Sequence, residues 1–198
     1  MKHPISKVVA LAISLFAASP LMADDAPPVG NCNFCHGTFG RGFSVAPRLA
    51  GQRAPYILRQ ITGFGAHSRD NPYSEKFMWR AVADLSSPTA HDLAAYYASL
   101  EAQPARDGNA DLVTAGKNIY DEGVATANVV ACVVCHGPNA EGVGAIPRLG
   151  GLSYLYLKRR LDQWNEGFHA TATPMPQVSR DLSAQEIEAL ASYLSFIE

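Results

Sequence analysis

Apolar positions recur at helical spacing in four stretches of the chain, and the stretches pair off. In YILRQITGF (56–64) and YLKRRLDQW (156–164) the first, second, sixth and ninth positions are apolar, which lines one face of a helix. PTAHDLAAYYASL places Leu93, Tyr96, Tyr97 and Leu100 on one side, and AQEIEALASYLSFI does the same with Ile187, Leu190, Leu194 and Ile197. Ser87, with Pro88 at the first helical position, is the predicted start of the earlier of these two helices. Ser183, with Glu186 three residues on, predicts a capping box at the start of the later one. ADLVTAGKNIYDEG predicts one more helix, from about Leu112 to Glu122. No stretch alternates as a strand would, so the expected class is all-α.

The pairing extends along the chain as a repeat. At an offset of 100, Cys32, Cys35, His36 and Gly37 fall on Cys132, Cys135, His136 and Gly137, and Pro47, Arg48, Leu49 and Gly51 fall on Pro147, Arg148, Leu149 and Gly151. Tyr56 and Arg59 fall on Tyr156 and Arg159. Beyond them the offset drops to 97, so that Met78, Leu85, Ser86, Leu93 and Tyr96 match Met175, Leu182, Ser183, Leu190 and Tyr193. A repeat of this length can hold its own core, so the expectation is two tandem domains, 24–100 and 112–198. The polar, Pro- and Gly-containing segment 101–111 joins them.

The first residues have a different character. A lysine-bearing start, the apolar run Val8–Ala18 and the small-residue end LMA predict a secretory signal over residues 1–23, cleaved after Ala23. The run is too short for a membrane span, which needs roughly 20 residues; an uncleaved anchor is the alternative. Without residues 1–23, which include Lys2 and Lys7, the 16 Lys+Arg fall to 14 against 18 Asp+Glu. That mildly acidic balance argues against nucleic acid as a partner.

Export normally pairs four cysteines as disulfides. Here they stand as two CxxC motifs, each followed at once by histidine. A zinc site would need further ligands, and a thioredoxin-like site needs strands. Cys-x-x-Cys-His is the attachment signature of c-type haem. Positions i and i+3 share one side of a helical turn, so Cys32 with Cys35, and Cys132 with Cys135, can hold the two vinyl positions of one porphyrin. His36 and His136 then follow as iron ligands. Each imidazole needs an acceptor for its second N–H, and the carbonyls of Pro47 and Pro147, eleven residues on, are the candidates.

The sixth ligands come from counting. Of four methionines, Met1 and Met22 lie in the signal. Met78 and Met175 remain, one per half, each seven residues before a Leu-Ser pair. Pro174 and Pro176 predict a rigid loop around Met175, whereas EKFMWRA can place Met78 in a helix. Core filling is the ordinary role of methionine, and His67, His91 and His169 are the rival ligands. Tyr56, Tyr156, Arg59 and Arg159 are candidates for bonding haem propionates, with packing and surface charge as the alternative. Trp79 and Trp164 read as core or haem-wall residues.

These residues, CNFCHG with CVVCHG, PRLAGQ with PRLGGL and the two late methionines, resemble the dihaem cytochromes c of the cytochrome c4 family over about residues 30–198. The resemblance implies two class I cytochrome c folds related by a pseudo-twofold axis, with facing propionate edges and two covalent haem c groups. It implies periplasmic electron transfer from a quinol-oxidising complex to a terminal haem–copper oxidase. A cytochrome subunit of a larger dehydrogenase or oxidase, and a dihaem enzyme such as a thiosulfate dehydrogenase or a peroxidase, are the rivals. The family also has a helix before the first Cys-x-x-Cys-His, where this chain offers only DDAPPVGN.

Overall fold

The computed structural model describes residues 28–43 and 45–198; the expected signal, residues 1–23, lies outside the described residues. The described chain is helical, with two isolated β-bridges, Val124 with Val129 and Val143 with Ile146. The first half contains α1 (Gly30–His36), α2 (Ala54–Gly65), a π-turn (Ser74–Met78) running into α3 (Trp79–Val82), and α4 (Ser87–Ser99). The second contains α5 (Val113–Glu122), α6 (Val133–His136), α7 (Tyr154–Asn165), α8 (Met175–Ser179) and α9 (Ala184–Phe196).

Each half is built on the pair of helices that the apolar spacing marks. In the first, α2 packs on α4 around Ile57, Leu93, Ala94 and Tyr97. In the second, α7 packs on α9 around Leu157, Leu161, Ile187, Leu190 and Leu194. The Ser183–Glu186 capping box forms at the start of α9. At α4 the cap is Ser86 rather than Ser87: its Oγ accepts the Thr89 N–H at 3.3 Å. Pro88 then sits within the first turn, where a missing N–H costs nothing. Met175 also departs from expectation. It opens α8, since Pro176 is tolerated within a first helical turn, and its N–H bonds to Ala172 O at 3.0 Å.

The second half has a helix that the described first half lacks. Helix α5 crosses α9 so closely that a Cβ on Gly116 would lie 2.0 Å from Ala189 O. The α4 positions equivalent to Ala189, Ser192 and Phe196 are Asp92, Ala95 and Ser99, all exposed. The inner position is covered by substitution. In the second half Tyr120 of α5, wholly buried, donates its hydroxyl to Gly137 O beside Cys132. In the first, Tyr97 of α4 stands where α9 has Leu194, and its hydroxyl reaches Asn33 Oδ1 at 3.0 Å beside Cys32. Burial, then the adjacent cysteine, raises the pKa of both phenols.

Residues 101–111 are docked rather than slack. Ala105 N bonds to Gly151 O, Arg106 N to Ser195 O, and Gly108 N to Ser195 Oγ, at 2.9–3.1 Å. The two halves meet along a polar seam. The buried Gln52 donates Nε2 to Arg148 O at 2.9 Å and accepts Arg148 N–H on Oε1 at 2.8 Å. Arg53 Nε donates to Glu141 O and Gly142 O at 2.9 and 3.0 Å.

Candidate functional site

The two Cys-x-x-Cys-His segments fold alike. Cys32 and Cys132 are half-buried, Cys35 and Cys135 are exposed, and all four are free thiols. Their histidines turn inward: His36 and His136 are only 6% and 4% exposed. The chain then reverses, with Gly42 N bonding His36 O at 2.6 Å and Gly142 N bonding His136 O at 2.8 Å. Glycine is required at this approach. A Cβ would lie 2.7 Å from Arg48 N in one half and 2.4 Å from Pro147 C in the other, at φ of +71° and +66°. The reversal carries the proline carbonyls under the rings: His36 Nδ1 donates to Pro47 O at 2.8 Å and His136 Nδ1 to Pro147 O at 3.0 Å. A proton held on Nδ1 leaves the Nε2 lone pair free for a metal. Burial holds both imidazoles below their ordinary pKa, against the opposing proline carbonyls.

The other sequence candidates divide. Met78 ends the π-turn and Met175 starts α8, both partly buried. Tyr56 and Tyr156 meet between the halves, and Arg69 Nη2 donates to Tyr156 OH at 3.2 Å. Burial, followed by the neighbouring Tyr156, pushes the Tyr56 pKa up to about 12. Arg159 lies at the same seam, donating to Val45 O and stacking 4.3 Å from the centre of the Tyr73 ring. Arg59 lies at its edge: it is exposed and lines a surface cavity with His91, and its charge still acts on His169. His91 bonds its own helix at Ser87 O, and the exposed His67 stacks on Trp79 at 4.0 Å. His169 accepts from Arg160 Nη2 at 2.9 Å.

Comparing identities between the halves misses the two most buried cations of the seam. Arg69 is 6% exposed and Arg160 7%. Arg160 falls opposite Gln60, and Arg69 lies in the stretch where the offset slips from 100 to 97, so neither arginine has an arginine counterpart. Each is held by a neutral neighbour: Arg69 Nη1 by Gln60 Oε1 at 2.6 Å, and Arg160 Nη2 by His169 Nδ1 at 2.9 Å.

The residues present fit two haem groups. Each half offers two free thiols on one helical turn and a buried imidazole with a free Nε2. The seam offers buried donors without an acceptor, among them Arg69 Nε, Arg48 Nε and Trp164 Nε1. Among the described residues neither Arg69 nor Arg160 forms a salt bridge with a carboxylate. A buried guanidinium without a counter-charge is costly, and the carboxylates of haem would supply one.

A helical fold in two similar halves, each with an inward histidine behind a thiol pair, defines a tandem c-type cytochrome. The Cytochrome c family model matches residues 113–197. Cytochrome c4 of Thiocapsa roseopersicina is 34% identical over 90% of this chain and 95% of its own. The "thiosulfate dehydrogenase electron acceptor" of Stutzerimonas stutzeri is 32% identical over 97% and 93%. The solved cytochrome c4 of Acidithiobacillus ferrooxidans superposes with a TM-score of 0.78 at 30% identity, over 83% of this chain and 98% of that one. The chain belongs to the dihaem cytochrome c4 family, whose members are electron-transfer proteins with two covalently bound haem c groups.

Proposed function

We propose that the chain is a periplasmic electron carrier running between a quinol-oxidising complex and a terminal haem–copper oxidase. Cys32 with Cys35, and Cys132 with Cys135, would hold the two haems through thioethers. His36 and Met78 would ligate one iron, and His136 and Met175 the other. Each haem supplies a one-electron Fe(III)/Fe(II) couple. The chain's part is to fix the ligand rings, exclude water and supply charge. Pro47 and Pro147 hold the histidine tautomer. Tyr97 and Tyr120 close the cavity behind the first cysteine of each motif.

One observation carries this reading: both histidines are buried, each with Nδ1 on a proline carbonyl and Nε2 free. With Met78 and Met175 completing the ligand sets, neither iron would have an open position for a substrate. The carrier is therefore separated from a dihaem enzyme by its spectrum. Two low-spin haems that do not bind carbon monoxide support the carrier; a high-spin or carbon monoxide-binding haem argues for the enzyme.

A second donor is favoured by one finding. Two relatives named thiosulfate dehydrogenase electron acceptor each match 97% of the chain. Stopped-flow reduction of the haem-loaded protein by a thiosulfate dehydrogenase, set against reduction by a quinol-oxidising complex, decides between the donors. The faster second-order rate identifies the physiological one.

A further inference from the structure

Arg69 and Arg160 lie on opposite sides of the seam, and Arg69 reaches into the other half. Arg69 starts from the loop after α2, where its backbone carbonyl accepts from Trp79 Nε1 at 3.0 Å and its guanidinium lies 4.7 Å from the centre of the Phe64 ring. Its side chain then crosses to Tyr156 OH. Its neighbour Asp70 crosses too, accepting the His169 N–H on Oδ1 at 2.6 Å. Thr171 returns across the seam to Ser68 O at 3.0 Å. Arg160 lies on α7, flat against Trp164 at 4.8 Å, and bonds Gln163 Oε1 and His169 Nδ1. Both charges act on the same three groups, Tyr56, Tyr156 and His169. The acid nearest that histidine, Asp70, is exposed and engaged with a backbone N–H. The polar partners of both arginines are neutral, so the charge of the pair is left for an anionic group to balance.

We infer that Arg69 and Arg160 form one cationic clamp shared by the carboxylates of both haems, so that an arginine of one half sets the redox potential of the other half's haem as well as its own. This rests on the two-haem reading above. A fixed positive charge favours the reduced, less positive iron, and burial keeps it from being screened. The side chains also act as a joint: the Arg69–Tyr156 bond spans the two halves, so the clamp forms only when they are docked.

The test uses the full haem-loaded chain with Arg69→Gln and with Arg160→Gln. An equilibrium redox titration is followed optically, with each wave assigned through the axial-methionine proton resonances of the reduced protein. Each substitution is expected to lower both potentials. For the arginine's own haem the shift is about tenfold in the reduced-to-oxidised ratio at fixed potential, about 59 mV for one electron; for the other haem it is smaller but resolved. The exposed Lys117→Gln, on α5 and paired with Asp121, leaves both in place. Shifts confined to one haem, or no shift, overturn the clamp. Two haems and two low-spin spectra in the same samples show that the two-haem reading stands whichever way the potentials fall. Should a glutamine variant fail to fold, Arg69→Lys and Arg160→Lys keep the charge but lose the planar fork. They are expected to shift the propionate carboxylate bands in redox-difference infrared spectra, and unchanged bands overturn the proposal.

Discussion

Replacing Gln52 by leucine, the residue that the second half uses at the equivalent position 152, tests how the halves are held together. Gln52 is 4% exposed and its amide serves three backbone groups: Arg148 N–H and C=O across the seam, and its own neighbour Arg53 N–H. Leucine keeps the volume but satisfies none of them. A buried polar group left without a partner costs about 1–3 kcal/mol. Arg148 is only partly buried, so water recovers some of this, and the cross-seam loss comes to about 2–4 kcal/mol. For a chain of this length that lowers Tm by roughly 4–16 °C. The assay is calorimetry of the haem-loaded protein, with the haem bands followed in parallel. The variant is expected to unfold earlier and in two resolved steps, because each half retains its own core while their coupling is weakened. An unchanged midpoint with a single transition would refute the reasoning, since the amide would then contribute nothing across the seam.

Three further outcomes follow from the same geometry. Gly116→Val places side-chain atoms where even a Cβ would lie 2.0 Å from Ala189 O; we expect a loss of at least about 1–3 kcal/mol, seen in urea unfolding as early melting of the second half alone. Tyr97→Leu, which copies the residue at position 194, removes the hydroxyl bond to Asn33 and leaves a void behind Cys32; a loss of about 2–4 kcal/mol is expected at the first haem, read from its thermal transition. Met78→Ala and Met175→Ala should each open one iron, abolishing half of the methionine–iron charge-transfer band and allowing one carbon monoxide to bind per chain; an unchanged spectrum in either variant removes that methionine from the ligand set.

Much of the fold was legible because local chemistry and repetition agreed. The apolar faces of 56–64 and 156–164 became α2 and α7, and the Ser183–Glu186 box formed as its spacing requires. The eleven-residue step from histidine to proline marks the reach of a loop that the structure closes with a glycine. Other features depend on what packs where, which periodicity does not report. The proline-flanked Met175 was expected in a loop, but Pro176 is tolerated within a first helical turn. Ser86 displaced Ser87 as the cap because its hydroxyl is the one that reaches the Thr89 N–H. Among the described residues no helix precedes α1, and Tyr97 of α4 lies beside Cys32 as Tyr120 of α5 lies beside Cys132. Arg59 matched Arg159 in sequence but faces solvent, while Arg69 and Arg160 match nothing at their own positions. Aligning identities finds functions that both copies keep in the same place, and it passes over a charge that has no counterpart in the other copy.

The central claim is that both halves carry a six-coordinate haem and that the chain exchanges electrons without binding substrate at iron. Its most direct test is an anaerobic redox titration of the haem-loaded protein with the spin state recorded throughout. The account predicts two one-electron steps, both between low-spin forms, with carbon monoxide leaving the reduced spectrum unchanged. A high-spin form at either step, or a reduced haem that takes up carbon monoxide, would contradict it.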